Sequence, residues 1–303
     1  MNKLFLLFNS YILFCPHIIY GGIFMKIIVV KKLTLYIFLV FLILLFTFLL
    51  FILFPDKLYI DTNSYISINE EDLLKTLNDT DITYLQDEID SLYSSDKKIA
   101  YLTFDDGPTK KATSKILNIL AEEDVSASFF VIGEYVNHHP ELVKRAFDEG
   151  HYIANHTYHH SNSKLYKSPT DFVNEIKNTD IEIGKAIGIS DYSSHLFRFP
   201  NGYMSSIYKK EKKWATSLLS DMNYLFVDWN CLNRDSEKVY SPVDLLKNLK
   251  SSAKDKGSLV ILMHDTCDLS DTPSALKDSI SYLKSQGYEF HNFYDFFNQY
   301  LLK

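Results

Sequence analysis

The chain has little cysteine, no internal repeat, no low-complexity tract and no basic stripe. Each absence removes a class of protein. With only three cysteines, bridges cannot be the main source of stability. Cys15 lies in a doubtful N-terminal stretch, and Cys231 and Cys267 read as unpaired packing thiols, with a disulfide between them as the alternative. The lack of repeats excludes solenoids and propellers. Charge argues against nucleic acid. Beyond residue 57 there are 26 basic and 37 acidic residues, a net charge of −11. An acidic domain suits neutral or cationic polymers better than phosphate backbones.

One long uncharged stretch is present. Residues 33–54 carry no charge, and 22 residues at ~1.5 Å each span a ~30 Å hydrocarbon core. Lys26, Lys31 and Lys32 precede it. The positive-inside rule therefore places the N-terminus in the cytoplasm and the C-terminal part outside. Pro55-Asp56-Lys57 is a poor cleavage site, so the segment reads as an uncleaved signal anchor. Residues 1–24 are apolar but interrupted, and Met25 is the expected start; a second, weaker membrane segment is the alternative. The expected organisation is a short cytoplasmic terminus at 1–32, a transmembrane helix at 33–54, a polar stalk at 55–97 and a catalytic domain at 98–303. Within the stalk, Leu73, Leu77, Ile82, Leu85, Ile89 and Leu92 have patchy helical spacing.

From 98 onward apolar runs alternate with amphipathic stretches. Strands are expected at 99–104, 127–132, 152–155, 196–199, 224–229, 259–263 and 288–293. Helices are expected at 111–123, 138–149, 169–187, 207–221, 242–256 and 273–286. Ser168-Pro169, Ser241-Pro242 and Thr272-Pro273 read as helix starts, and Gly150, Gly188, Gly257 and Gly287 as helix ends. The alternation predicts an α/β fold with a parallel sheet and outer helices. Chemistry-bearing residues recur at strand C-termini, where both barrels and open doubly wound sheets place their sites.

Those residues form a constellation. Thr103-Phe104-Asp105-Asp106-Gly107-Pro108 supplies adjacent carboxylates, and His156-Thr157-Tyr158-His159-His160 supplies imidazoles about fifty residues later. One carboxylate and two imidazoles suffice for a divalent metal with positions left open. The other carboxylate is then free to act as a base. Arg198-Phe199-Pro200-Asn201-Gly202, Val227-Asp228-Trp229-Asn230 leading to Asp235, and Leu262-Met263-His264 follow in order.

Together these five motifs resemble the polysaccharide deacetylase family, the NodB-homology domain of carbohydrate esterase family four, and the resemblance covers 98–293. It implies a distorted (β/α)7 barrel of parallel strands. By similarity Asp105 is the catalytic base, and Asp106, His156 and His160 hold the metal. Zn2+ is expected, and Co2+, Ni2+ or Fe2+ suit the same donors. Arg198 would hold Asp105, the Asn201 N–H would meet the oxyanion, and Asp235 would orient the general acid His264. Leu262 would line the acetyl pocket. Asp228 is a rival of Asp235. Many members carry Tyr at position 201, and some carry Trp where this chain has Ser236. His159 reads as a groove residue, and His138, His139, His151, His195 and His291 as structural. The implied partner is an N-acetylated cell-wall glycan, foremost peptidoglycan N-acetylglucosamine. Exopolysaccharide, chitin-type oligomers and O-acetyl esters are alternatives within the class. A non-catalytic wall-binding module is the alternative outside it, although such a module is expected to lack a ligand or the base.

Overall fold

A computed structural model of the chain describes residues 11–19, 22–30, 70–266, 269 and 271–301. Two units are present, Met1–Tyr65 and Ile66–Lys303. In the first, β1 (Tyr11–Ile19) and β2 (Gly22–Val30) pair antiparallel, with Tyr11 opposite Val30 and Ile19 opposite Gly22. The uncharged run at 33–54 lies outside the described residues. Among those described, no helix is long and apolar enough to cross a membrane.

The second unit opens with α1 (Glu70–Asp79), a 3-10 turn at Thr83–Leu85, α2 (Gln86–Ser91) and another 3-10 turn at Leu92–Ser94. From Glu70 onward the stalk expectation needs correcting. Leu73, Leu77, Ile82, Leu85 and Ile89 are fully buried and belong to the cluster that also holds the sheet's core residues. The patchy spacing is one apolar face on short helices, and that face packs on the domain.

Eight strands form one all-parallel sheet. They are β3 (Ile99–Asp105), β4 (Ser128–Val131), β5 (Tyr152–Asn155), β6 (Leu196–Phe197), β7 (Leu225–Phe226), β8 (Cys231–Leu232), β9 (Leu259–His264) and β10 (Glu289–His291). Their order is β7-β6-β5-β4-β3-β9-β8, with β10 beside the start of β3. Central β3 is buried almost throughout, as a strand covered on both faces must be.

The expected strand at 224–229 proves to be β7 alone, and β8 follows it on the other edge of the sheet. Leu225 N–H donates to His195 C=O and Val227 N–H to Phe197 C=O, on the β6 side. Three residues later Asn230 N–H donates to Val260 C=O, on the β9 side. The chain thus changes partners between Val227 and Asn230, and the ladder is broken there. The expected distorted barrel of parallel strands thus takes the form of a half-barrel, open between β7 and β8.

Outside the sheet lie α3 (Thr113–Glu123), α4 (Gly133–His138), α5 (Pro140–Asp148), α6 (Asn162–Leu165), α7 (Pro169–Ile187), α8 (Lys209–Asp221), α9 (Pro242–Ala253), α10 (Thr272–Ser285) and α11 (Phe293–Leu301). The helix expected at 138–149 is α5, started by Pro140 in its first turn, and the short α4 before it was not expected. Ser168 and Ser241 cap as expected, accepting the N–H of Asp171 and Asp244. Thr272 does not cap; its hydroxyl is donated to Asp235. Gly257 also departs from expectation, since Asp255 takes the left-handed conformation there. Gly257 is needed for closeness instead: a Cβ would lie 2.2 Å from Ser95 C=O. Cys231 is buried and free, and burial pushes its thiol up to about 11. Cys267 lies outside the described residues.

Candidate active site

Strand register assembles the first half of the site. Asp105 ends β3 directly beside His264, which ends β9. Alternation along each strand puts Thr103 on the face of Asp105, and buried Leu262 on the face of His264. The chain then leaves the sheet through Asp106 at φ 74°. The loop after β5 behaves alike, with Thr157 at φ 73° and His160 at φ 50°. Positive φ is unfavourable for a β-branched residue. Local bonds hold it: Asn155 Oδ1 accepts Thr157 N–H at 3.0 Å, and Thr157 Oγ1 accepts His160 N–H at 2.9 Å.

This backbone gathers Asp106, His156 and His160, with ligating atoms all within 4.8 Å of one another. Asp106 Oδ1 lies 3.3 Å from Nε2 of both histidines. His156 Nδ1 lies 2.8 Å from Arg198 C=O and so donates to it, which leaves Nε2 as a lone pair facing Asp106. Asp106 Oδ1 is buried without a hydrogen-bond donor. An orphaned buried carboxylate oxygen beside the Nε2 atoms of two imidazoles is the signature of a cation site, so these residues fit a divalent metal.

Electrostatics follow this crowding. Burial opposes the Asp106 carboxylate, but His156, His160 and His264 outweigh it and hold its pKa low. Burial likewise opposes charge on His156, yet Asp105 and Asp106 raise its pKa. At His160 burial, reinforced by His156, wins and lowers it.

Arg198 joins strands to site. It is fully buried, and every nitrogen is engaged. Nη1 reaches Asp105 Oδ1 at 2.7 Å and Thr103 Oγ1 at 2.8 Å; Nε and Nη2 reach the carbonyls of Val227 and Asp228, each at 3.1 Å. The guanidinium also sits 4.0 Å from the Phe130 ring centroid. Asp105 is thereby fixed through Oδ1, while Oδ2 lies 3.8 Å from His156 Nε2.

His264 is oriented from the opposite side. Its Nδ1 lies 2.7 Å from Asp235 Oδ1, and its N–H donates to Asp235 Oδ2 at 2.8 Å. Burial opposes charge on this imidazole, but the Asp235 contact, aided by Asp105 and Asp106, lifts it to about 9. Nε2 is left facing Asp106 Oδ2 at 4.0 Å. Asp235, and not its rival Asp228, is the partner of His264.

Asn201 occupies the third position of a turn that Gly202 N–H closes on Phe199 C=O at 2.7 Å. With Pro200 before it and φ 65° at Asn201, this is type II geometry, which favours Asn. His159 is turned to Glu175, whose Oε1 lies 2.7 Å from its Nδ1. Sequence reasoning missed Thr103, Glu175 and Thr272. Alternation from Asp105 could have flagged Thr103, whereas Glu175 and Thr272 act through contacts set only by tertiary packing.

A family model described as polysaccharide deacetylase matches residues 93–217. A peptidoglycan-N-acetylglucosamine deacetylase of Bacillus cereus is 36% identical over 207 residues, covering 66% of this chain and 71% of that protein. The chain belongs to the polysaccharide deacetylase family. With relatives that are peptidoglycan deacetylases, it is a hydrolase acting on amide bonds. A peptidoglycan-N-acetylmuramic acid deacetylase of Bacillus subtilis is 32% identical over 213 residues, covering 70% and 76% of the two chains. Among solved structures, a polysaccharide deacetylase from Bacillus cereus superposes with a TM-score of 0.56 at 34% identity, covering 65% of this chain and 92% of that one.

Proposed function

We propose that this deacetylase removes N-acetyl groups from cell-wall polysaccharide, acting on the N-acetylglucosamine of peptidoglycan. One observation carries the reading. Neighbouring strand ends present a carboxylate fixed by a buried arginine and an imidazole fixed by a buried aspartate, beside a three-residue ligand group.

Asp106, His156 and His160 would hold the cation, and this mixed donor set suits Zn2+. When bound, a divalent cation supplies Lewis acidity toward water and the acetamide carbonyl. Asp105, with Oδ1 occupied by Arg198, takes the proton of the attacking water on Oδ2. We assign the Asn201 N–H to the developing oxyanion, because the turn's own hydrogen bond is donated by Gly202 instead. His264 protonates the departing amine from Nε2, its Nδ1 being held by Asp235. Leu262, one alternation before His264, would border the acetyl methyl group. Acetate and a free amino sugar result.

The similarity to a muramic acid deacetylase supports a second reading, in which the other sugar of the same polymer is the substrate. The uncharged run at 33–54, with Lys26, Lys31 and Lys32 before it, supports attachment to the cell membrane with the deacetylase domain outside. The test is to treat purified peptidoglycan with the detergent-solubilised protein, then digest it and analyse the sugars. New glucosamine supports the first reading and new muramic acid the second. Neither sugar, from protein that binds Zn2+, sinks both. Recovery of the protein in the soluble fraction of lysed cells would sink the membrane assignment.

A further inference from the structure

The break between β7 and β8 puts Asp228 where two parts of the site meet. Its backbone carbonyl accepts from Arg198 Nη2 at 3.1 Å, the guanidinium that also grips Asp105. Its carboxylate reaches elsewhere: Oδ1 accepts Tyr203 N–H at 2.7 Å and Oδ2 accepts Met204 N–H at 2.9 Å. These residues directly follow the turn that carries Asn201. Asp228 N–H is itself anchored on the Tyr93 hydroxyl at 2.9 Å.

Little apolar packing holds the far end of this loop, since Met204 is 83% exposed and Ile207 47%. Polar clamps act instead. Lys212 is 1% exposed, and its ammonium donates to the carbonyls of Gly202 and Ser205. Gly202 is wedged against Trp229, so close that a Cβ would lie 2.8 Å from the indole. Burial is unfavourable for a lysine and lowers its pKa, with the nearby Asp228 carboxylate opposing that shift. The chain retains one here to fix two carbonyls of a surface loop.

We propose that Asp228 is a positioning residue that sets the oxyanion turn relative to the catalytic base. It holds the base through its backbone and Arg198, and the turn through its carboxylate. The roles it connects rest on the function proposed above; the clamp itself does not. Only an ionised carboxylate accepts from two successive N–H groups with both oxygens. Asn keeps the shape but turns an NH2 toward one of those donors.

The test uses the Zn2+-loaded full chain in detergent, comparing wild type with Asp228→Asn and Lys212→Met. Misplacement of a catalytic group by about 1 Å costs on the order of 100-fold in rate. Asp228→Asn should lower kcat for acetate release by about 10- to 100-fold, with KM within about 3-fold and Zn2+ affinity by calorimetry unchanged. Amide hydrogen exchange in peptides spanning 202–205 should accelerate in both variants. Unchanged exchange there, unchanged kcat in Asp228→Asn, or a matching loss of Zn2+ affinity would overturn the proposal. A wild type that binds Zn2+ but releases no acetate would sink the proposed function, and the exchange result would then still decide the clamp.

Discussion

Arg198 has no exposed surface, and it is retained because Asp105 is nearly as deeply buried. A buried ion pair adds little net stability over apolar packing, but breaking one is costly. Arg198→Met should therefore destabilise the domain by about 3–5 kcal/mol, read by urea denaturation; a change within 1 kcal/mol would contradict this account. Asp105→Asn keeps the shape and removes the base. It should lower kcat by about 10^3-fold and leave Zn2+ binding intact. Retained turnover in this variant would remove Asp105 from the mechanism. Much of the candidate site was legible at this scale. Base, ligands and acid must each be a particular residue type, and the structure brings Asp105, Asp106, His156, His160, Arg198, Asp235 and His264 together. Thr272, Glu175 and the clamp made by Asp228 were not legible. Their work is hydrogen bonding to partners distant in sequence, and no local pattern encodes that.

Among the elements, α7 shows how a helix serves the site without touching it. Its buried face carries Glu175, which accepts the N–H groups of Tyr158 and His159. Five residues on, Asp180 accepts from Asn155, the residue that pins Thr157. Burial is the main influence on Asp180 and lifts its carboxyl from 3.8 to about 7, against hydrogen bonds from Tyr224 and Asn155. The folded state therefore binds this proton more tightly than the unfolded chain. The associated stability is complete below about 3.8 and is lost as pH rises through about 7. Asp180→Asn should remove that dependence. Denaturation at pH 5 and pH 8 should show the variant gaining relative to wild type at the higher pH, and an identical pH difference in both proteins would refute the assignment. The ends of α7 were readable because Ser168, Pro169 and Gly188 act locally. The division of 224–232 between two sheet edges was not, because both strands are two residues long and their partners are set by closure of the fold.

For the whole molecule, the main revision is that the domain begins well before residue 98. Seven apolar side chains from α1 to the second 3-10 turn are buried: Leu73, Leu74, Leu77, Ile82, Leu85, Ile89 and Leu92. At about 1.5–3 kcal/mol for each such side chain, their removal rivals the 5–15 kcal/mol that typically holds a domain together. A chain truncated to 98–303 should be insoluble or molten, while one beginning at 66 should unfold cooperatively. Equal thermal stability of the two would contradict the boundary. The proposed anchor belongs to the same scale, because a tether at 33–54 would keep an acidic domain close to a wall polymer whose deacetylated product carries amines.

The central claim is that the ligand group and the flanking acid and base make this chain a metal-dependent N-deacetylase of peptidoglycan. Acetate release tests it most directly. The full chain in detergent would be stripped by chelation and assayed on N-acetylglucosamine oligomers and on peptidoglycan, before and after Zn2+ is restored. The account predicts almost no acetate from the stripped protein, recovery with Zn2+, and abolition of that recovery by His264→Ala. Release that is indifferent to chelation, or no release from folded protein shown to bind Zn2+, would contradict it.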